Sequence, residues 1–330
     1  MIAVVGAAGT IGRVVCRFLE QWGEPFARRD FRLEGDEHVD VRDPQSLRRA
    51  LDGAFVCVNC ADYRLNVAVM EAALDARAHY VDLGGLFHVT RKQLELHDRF
   101  RSGGLTAIVG MGSAPGKTNL LARTAAERLG SAPRSLEIWA AARDPAAADH
   151  PFPAPYSVRT LLDELHLRPV VVEAGELREV EPLSGRAEHE FPAPIGRATG
   201  IYTLHSELAT LPLAYPSLAN ASFRLCLAPG LLERLLALGD DELPEPYEQS
   251  EQAVAAHVVV ASNGSRAVEA TAITRGGSAR STAEPPARAA VEVARGAFSQ
   301  PGVHAPEAAV ADAEAFLAQL DAEIRWRDAP

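Results

Sequence analysis

The 330-residue sequence is almost devoid of lysine, which occurs only at Lys92 and Lys117. Acidic residues outnumber basic ones by 44 to 33, which gives a formal net charge of −11. Because nucleic acids and anionic membranes are bound through clustered cations, this balance excludes a general nucleic-acid or membrane-surface binder. Any anion site must rely mainly on arginine, since lysine is so rare.

Cysteine is also scarce, with four in the chain. Cys57 and Cys60 form a C-x-x-C pair, but they lie inside the apolar run 55–60 without a second pair or a histidine cluster nearby. We interpret the cysteines as buried thiols of a reducing compartment and predict no metal site. No apolar run approaches the roughly 18–20 residues of a membrane span, and the N-terminus has no charged leader region. These features predict a cytoplasmic protein.

Short apolar runs alternate with helical stripes through the first third of the chain. Strands are predicted at 2–5, 25–29, 37–41, 55–60, 80–83 and 106–109, with helices between them that include one over 89–102. Such alternation is typical of an α/β fold with a doubly wound parallel sheet. After Leu129 the strands become sparser and the loops longer, which indicates a second domain of α+β type.

A glycine-rich turn follows the first predicted strand and opens the first predicted helix. Its sequence, G-x-x-G-x-x-G, is typical of a dinucleotide site, because glycines let the backbone approach a pyrophosphate at a helix N-terminus. The turn residues predicted to bind a cofactor are Gly6, Ala8, Gly9, Thr10, Ile11 and Gly12.

The end of the second predicted strand should meet the adenosine ribose of such a cofactor. Arg28 and Arg29 stand there and suit a 2′-phosphate, because guanidinium groups bind phosphate in bidentate fashion. Asp30 could instead accept the ribose hydroxyls if the strand runs slightly longer, as in NAD-binding proteins. We favour NADP, and NAD stays the alternative.

A second glycine segment, 112–118, resembles a phosphate-binding P-loop. That loop needs four residues between its glycines, whereas three separate Gly112 from Gly116. Pro115 also removes a backbone N–H from the cradle. The segment therefore does not favour a kinase or nucleotide hydrolase, but Lys117 remains of interest as an isolated cation.

Several segments in order along the chain resemble the saccharopine dehydrogenase family. They are the glycine turn, Val58-Asn-Cys-Ala61, Tyr80-Val-Asp-Leu-Gly-Gly85, Gly110-Met-Gly-Ser-Ala-Pro-Gly-Lys-Thr-Asn119, 156–165, and Tyr202-Thr-Leu-His-Ser-Glu-Leu-Ala-Thr-Leu-Pro212. The resemblance implies a Rossmann-type domain of residues 1–118 and 286–330, with an α+β substrate and dimerisation domain, 119–285, inserted between. It also implies an NAD(P)-dependent oxidoreductase that interconverts amines and imines on a small amino-acid-like substrate, and a homodimer.

Two other activities stay open at this point. Many saccharopine-type members carry Asp at the position of Ala114, whereas lysine 6-dehydrogenase-like members carry Ala there. An NAD-dependent enzyme similar to lysine 6-dehydrogenase is therefore the alternative. A non-catalytic protein that senses the redox state of NADP would also keep the glycine turn, but it would need no substrate residues.

The chemistry implied by the resemblance directs attention to particular residue types. Proton transfer needs a group that titrates near neutrality, and His205 fits best. An iminium needs acceptors nearby, for which Asp82 and Glu207 are candidates. A substrate carboxylate needs a cation, and the candidates are Arg159, Arg197, Arg224 and Lys117. The candidate catalytic residues are His205, Glu207, Asp82 and Lys117. Further cofactor contacts are predicted at Asp40, Cys60, Ala61, Asp62 and Gly84, and substrate contacts at Tyr156, Arg159, Arg197, Tyr202, Thr210 and Arg224.

Overall fold

The computed structural model describes residues 1–147, 150, 152–239, 243–245, 247–298 and 300–329. Its strands are β1 (Ile2–Val5), β2 (Phe26–Arg29), β3 (Val56–Asn59), β4 (His79–Asp82), β5 (Thr106–Ile108), β6 (Ser135–Arg143), β7 (Val170–Glu173), β8 (Glu176–Glu179), β9 (Ala187–Glu190), β10 (Arg197–Tyr202), β11 (Asn220–Cys226), β12 (Val254–Ser262), β13 (Ala267–Arg275), β14 (Gly302–His304) and β15 (Glu323–Ala329). Its helices are α1 (Thr10–Gln21), α2 (Pro44–Ala50), α3 (Asn66–Asp75), α4 (Phe87–Leu94), α5 (His97–Gly103), α6 (Lys117–Leu129), α7 (Val158–His166), α8 (Glu207–Ala214), α9 (Leu231–Leu236), α10 (Gly277–Ala294), α11 (Pro306–Ala309) and α12 (Ala313–Leu317).

The chain divides into two compact units. The first unit comprises Met1–Gly116 and Thr282–Ala311, and the second comprises Lys117–Ser281 and Asp312–Pro330. Among the described residues, no helix is both long and apolar enough to cross a membrane.

A six-stranded parallel sheet forms the centre of the first unit, in the order β14-β5-β4-β3-β1-β2. The predicted doubly wound parallel sheet is therefore confirmed. In register, Val5 lies beside Asn59, and Asn59 lies beside Asp82, so β1, β3 and β4 end at the same edge. The loops that follow them carry the predicted cofactor residues. Helix α1 buries Val15, Phe18 and Leu19 in its apolar stripe, as its periodicity predicts.

Two predicted elements of the first unit differ from the structure. The predicted strand 37–41 is replaced by a 3-10 turn, Gly35–Glu37, and a single bridge between Asp30 and His38. Val39 is buried and Val41 is partly buried, but the segment pairs with the end of β2 only through this one bridge, so no strand forms. The predicted helix 89–102 is divided into α4 and α5, because a tight turn from Leu96 N to Gln93 O interrupts it.

A mixed nine-stranded sheet forms the centre of the second unit. Its main path is β15-β13-β12-β6-β11-β10-β9; β7 pairs with β11 and β8, and β6 and β11 are parallel. The sequence-based division assigned the whole tail, 286–330, to the first domain. The structure places residues 312–330 in the second unit instead, because β15 pairs along the whole of its length with β13, from Glu323 opposite Ile273 to Ala329 opposite Ala267.

Candidate active site

The glycine turn packs so tightly that side chains are excluded at Gly6 and Gly12. Gly6 has φ +78°, and a Cβ there would lie 2.6 Å from the carbonyl carbon of Cys60. A Cβ on Gly12 would lie 2.0 Å from the carbonyl oxygen of Gly6. Gly9 is the N-cap of α1, and no side chain forms a capping hydrogen bond there. The first N–H groups of the helix therefore have no capping side chain as acceptor. This arrangement fits a pyrophosphate, which binds such N–H groups.

Asp30 is the predicted ribose residue that the structure joins to this turn. Its Oδ2 accepts a hydrogen bond from Ala8 N at 3.0 Å, and its Oδ1 accepts one from Arg32 N at 2.9 Å. Arg28 lies exposed and pairs with Glu37 at 2.9 Å. Arg29 donates from Nε to the carbonyl oxygen of Ala50 at 3.0 Å.

The other acidic residues predicted to contact cofactor lie in loops and pair locally. Asp40 is bonded to the guanidinium of Arg42, and this side-chain hydrogen bond is the main cause that lowers the pKa of Asp40 to about 2. Asp62 follows β3 and pairs with Arg64 at 2.5 Å. Cys60 and Ala61 border Gly6 directly, as the predicted site requires.

Asp82 is fully buried beneath the loops that follow β4 and β5. Its Oδ1 accepts hydrogen bonds from Gly84 N at 2.9 Å and Gly110 N at 2.7 Å. Its Oδ2 accepts from the hydroxyl of Tyr80 at 2.9 Å and from Gln93 Nε2 at 2.6 Å. Burial raises the pKa of Asp82, although these hydrogen bonds oppose the rise. Through these hydrogen bonds the carboxylate holds the loop after β4, which contains Gly84, and the loop after β5 in place at the end of the sheet.

Replacing this carboxylate by an amide is expected to destabilise the first unit. In Asp82→Asn, an NH2 group replaces one acceptor oxygen and faces a donor, so hydrogen bonds in the buried network are lost. We expect the free energy of unfolding to fall by about 1–3 kcal/mol, measured by urea titration. The control is Asp98→Asn on the exposed face of α5, which should unfold like the unmodified protein. Equal stability of both variants would contradict this account.

His205 and Glu207 form a buried pair in the second unit. The imidazole Nδ1 lies 2.5 Å from Glu207 Oε2, and Thr118 donates to Glu207 Oε1 at 2.6 Å. Because an ionised carboxylate only accepts, Nδ1 carries the proton and Nε2 is the nitrogen that can exchange one. The ring stacks on Phe223 with centroids 3.6 Å apart and an interplanar angle of 7°. The stacking fixes the plane of the His205 ring, and the hydrogen bond to Glu207 fixes its tautomer.

A second carboxyl group, on Glu164 of α7, adjoins this pair. Glu164 is 4% exposed, and its Oε2 accepts a hydrogen bond from the hydroxyl of Tyr156 at 2.7 Å. Burial raises the pKa of Glu164 to about 7, although the charge of His205 and the Tyr156 hydrogen bond oppose the rise. Burial alone would lower the pKa of His205, but Glu207 and Glu164 outweigh it and raise this pKa above 6.5. The cluster thus holds a carboxyl group with a pKa of about 7 beside an imidazole whose pKa is raised.

These shifts predict that stability falls as the pH rises. The folded pKa of Glu164 lies above its ordinary value of 4.5, so between pH 4.5 and about 7 the unfolded chain ionises before the folded one. The loss should reach at most about 3 kcal/mol across that window, and His205 adds to it at higher pH. Urea titrations across pH should show this slope in the unmodified protein and a smaller slope in Glu164→Gln. Exposed Glu173→Gln is the control; equal slopes in all three proteins would contradict the assignment.

Lys117 begins α6 and is fully buried in the second unit. Its Nζ donates to Thr274 Oγ1 at 2.8 Å and to Ser281 Oγ at 2.6 Å. His257 on β12 is also buried, and its pKa is lowered well below 6.5 by burial and by the charges of Lys117 and His205. The structure thus brings Lys117 into the same unit as His205 and Glu207, whereas Asp82 lies in the other.

The predicted substrate residues divide into two groups. Tyr156 lies in the Glu164 cluster, and Thr210, which accepts from Asn119 Nδ2 at 3.2 Å, lies on α8 with Glu207. Arg159 is half-buried on α7, the helix that carries Glu164. Arg224 donates to Gly185 O and to the Tyr202 hydroxyl, which joins these two predicted residues to each other. Arg197 is exposed and lies 3.3 Å from Glu188.

Two residues of these clusters were missed by the sequence analysis. Glu164 stands on the buried face of α7 between Leu161 and Leu165, and a carboxyl group at such a position was the available signal. His257 interrupts the apolar run of β12 in the same way. Among the described residues, no group of three or more potential ligands could hold a metal ion.

Comparison with known proteins gives a family for the first unit. Residues 34–108 match the family model described as the saccharopine dehydrogenase NADP binding domain. The chain carries a saccharopine dehydrogenase-type NADP-binding domain. The predicted resemblance to this family is confirmed for this domain.

Relatives and a solved structure extend the comparison beyond that domain. A carboxynorspermidine synthase of Vibrio cholerae is 26% identical over 193 residues, which cover 54% of this chain and 45% of that protein. A carboxyaminopropylagmatine dehydrogenase of Synechocystis is 25% identical over 194 residues, which cover 56% of this chain and 48% of that protein. The chain thus matches about half the length of these curated relatives. Apo saccharopine dehydrogenase (L-Glu forming) of Saccharomyces cerevisiae shares the fold, with a TM-score of 0.68 at 14% identity over 100% of this chain and 99% of that one.

Proposed function

We propose that this protein is an NAD(P)-dependent oxidoreductase that acts on carbon–nitrogen bonds of an amino-acid-like substrate. The observation that carries the proposal is the matched NADP-binding domain at 34–108, preceded by a glycine turn that has no room for a side chain at Gly6 or Gly12. The names of the two relatives support the substrate class, because each describes an amine that bears a carboxyl group.

The buried pair in the second unit supplies what amine chemistry needs besides hydride transfer. The nicotinamide, when bound, donates or accepts the hydride. Converting an amine to an imine also removes a proton from nitrogen, and Nε2 of His205 is the atom proposed to take it. Glu207 holds the opposite ring nitrogen and stabilises the imidazolium that forms. Glu164 and Tyr156 complete the polar lining of this cluster.

Isothermal titration with NADPH and with NADH tests the proposal. We expect the protein to bind NADPH, and to bind it more tightly than NADH, because Arg28 and Arg29 favour a 2′-phosphate. A protein that bound neither nucleotide would overturn the proposal. The resemblance extends the proposal to a cytoplasmic homodimer, for which sedimentation equilibrium should give twice the mass of the chain.

The choice of cofactor depends on Arg28 and can be tested there. In Arg28→Ala we expect NADPH to bind about tenfold more weakly, because a charge-assisted hydrogen bond to phosphate is lost, while NADH loses much less. Arg99→Ala, which removes an exposed arginine paired with Glu71, is the matched control. Equal losses for both nucleotides would show that Arg28 does not read the 2′-phosphate and would favour Asp30 and NAD.

A further inference from the structure

One face of the second sheet carries polar groups within an apolar surface. Leu225, Ala140, His257 and Ala272 lie directly opposite one another across β11, β6, β12 and β13. Strand alternation places Thr274 on the same face as Ala272, and Thr274 accepts from Lys117 of α6. We name as the Lys117 cluster the four residues Lys117, His257, Thr274 and Ser281.

His257 has an unused polar atom in this cluster. The residue is 5% exposed, and its Nδ1 is buried without a hydrogen-bond partner in the described part of the chain. A buried polar atom without a partner destabilises the folded protein, so a ligand that bonds to it gains that energy. The ring is neutral, because burial and the nearby charges lower its pKa, so one of its nitrogens carries a hydrogen that can be donated.

The hydroxyl groups around the ammonium are further donors. Thr274 Oγ1 and Ser281 Oγ each accept a hydrogen bond from Lys117 Nζ. A hydroxyl that accepts in this way still carries its own O–H hydrogen, which is directed away from the ammonium. The cluster therefore joins one positive charge with up to three neutral donors, and this combination is suited to a carboxylate.

Two of the three arginines predicted to contact substrate are placed differently from this cluster. Arg224 donates to the carbonyl oxygen of Gly185 and to the hydroxyl groups of Ser222 and Tyr202. Arg197 lies on the exposed hairpin of β9 and β10 beside Glu188. His205 stacks on Phe223, which lies on the same face of the sheet as Leu225 and His257. Neither arginine places a buried charge on that face, whereas Lys117 does.

We propose that the Lys117 cluster binds the carboxylate group of the amino-acid-like substrate. The inference rests on the proposed function, since its ligand is the substrate of that reaction. It assigns Lys117 to substrate binding, with His257 and Thr274 as donors to the carboxylate oxygens. It also explains the placement of an unpaired imidazole nitrogen beside a buried ammonium.

Nitrogen-15 NMR of the histidine side chains tests this subsite in the full-length protein, with and without NADP. The probes are three pairs of compounds that differ only in the carboxylate: L-lysine and 1,5-diaminopentane, L-ornithine and 1,4-diaminobutane, and L-2,4-diaminobutyrate and 1,3-diaminopropane. The His257 signal is assigned from the spectrum of His257→Gln. We expect at least one amino acid to shift this signal and its paired diamine to leave it unchanged. Absence of a shift with all three amino acids would overturn the proposal.

A matched pair of threonine variants separates binding from folding. Thr274→Val removes a donor of the cluster, whereas Thr271→Val changes the opposite face of the same strand. We expect Thr274→Val to weaken binding of the amino acid roughly tenfold and Thr271→Val to leave it unchanged, with similar melting temperatures. Equal weakening by both variants would overturn the subsite. Hydride transfer without the His257 shift contradicts only this inference, while the shift without hydride transfer contradicts only the proposed function.

Discussion

A Gly12→Ala protein is expected to lose binding of NADPH and NADH by at least about tenfold each, which corresponds to about 1.4 kcal/mol. The added Cβ would lie 2.0 Å from the carbonyl oxygen of Gly6, and that oxygen belongs to rigid backbone rather than to a flexible side chain. The turn must therefore move, and the N–H groups proposed to bind the pyrophosphate move with it. Both nucleotides share the pyrophosphate, so both should be affected alike.

The measurement is isothermal titration of each nucleotide, together with urea unfolding. Overpacking of the turn should lower the free energy of unfolding by about 1–3 kcal/mol, so the titration is made where the variant is still folded. Gly103→Ala is the matched control in the same unit, because a Cβ there would meet Leu105 at 3.4 Å, an ordinary contact. Unchanged affinity in Gly12→Ala would show that the turn does not hold the cofactor.

Glu207→Ala is expected to have the largest effect on stability in the second unit. It removes a fully buried carboxylate and leaves the hydroxyl of Thr118 and Nδ1 of His205 without their acceptor. Breaking such a buried pair from one side costs about 3–5 kcal/mol. Urea titration should show this loss, and the exposed variant Glu179→Ala should show none of it.

The amide variant Glu207→Gln separates the charge from the shape of this side chain. Its oxygen can still accept a hydrogen bond, so the loss of stability should be smaller than in Glu207→Ala. The negative charge that raises the pKa of His205 is gone, and NMR titration should find this pKa lowered. If the pKa of His205 were the same in Glu207→Gln as in the unmodified protein, Glu207 would not be the group that tunes it.

The parallel sheet could be predicted from sequence because its signals are local. Each strand is a short apolar run, and a helical stripe such as that of α1 follows it, so period and order alone define the fold. The strand predicted at 37–41 was wrong for the same reason. Its alternating valines have the period of a strand, but whether a neighbouring strand lies alongside depends on distant residues.

The second unit was harder to predict because its contacts are distant in sequence. Thr118 meets Glu207 across 89 residues and Lys117 meets Thr274 across 157, so no local pattern indicates either pair. His205 and Glu207 were found because they are neighbours within one segment that resembles the family. In the sequence, Glu164 and His257 stand out only as polar residues among apolar ones. Their polar neighbours are known only from the packing of α7 and β12. The tail was misassigned because β15 pairs with β13, which lies well before it in the chain.

The proposed function requires that hydride moves between a nicotinamide and the carbon of a carbon–nitrogen bond. Mass spectrometry of products formed with NADPH deuterated at the transferring position of the nicotinamide tests it, using candidate amines combined with keto acids. We predict at least one combination whose amine product gains a single deuterium on the carbon bonded to nitrogen, with much less product from His205→Ala. NADPH binding with no deuterium in any amine product would contradict the account and favour a protein that only senses the cofactor.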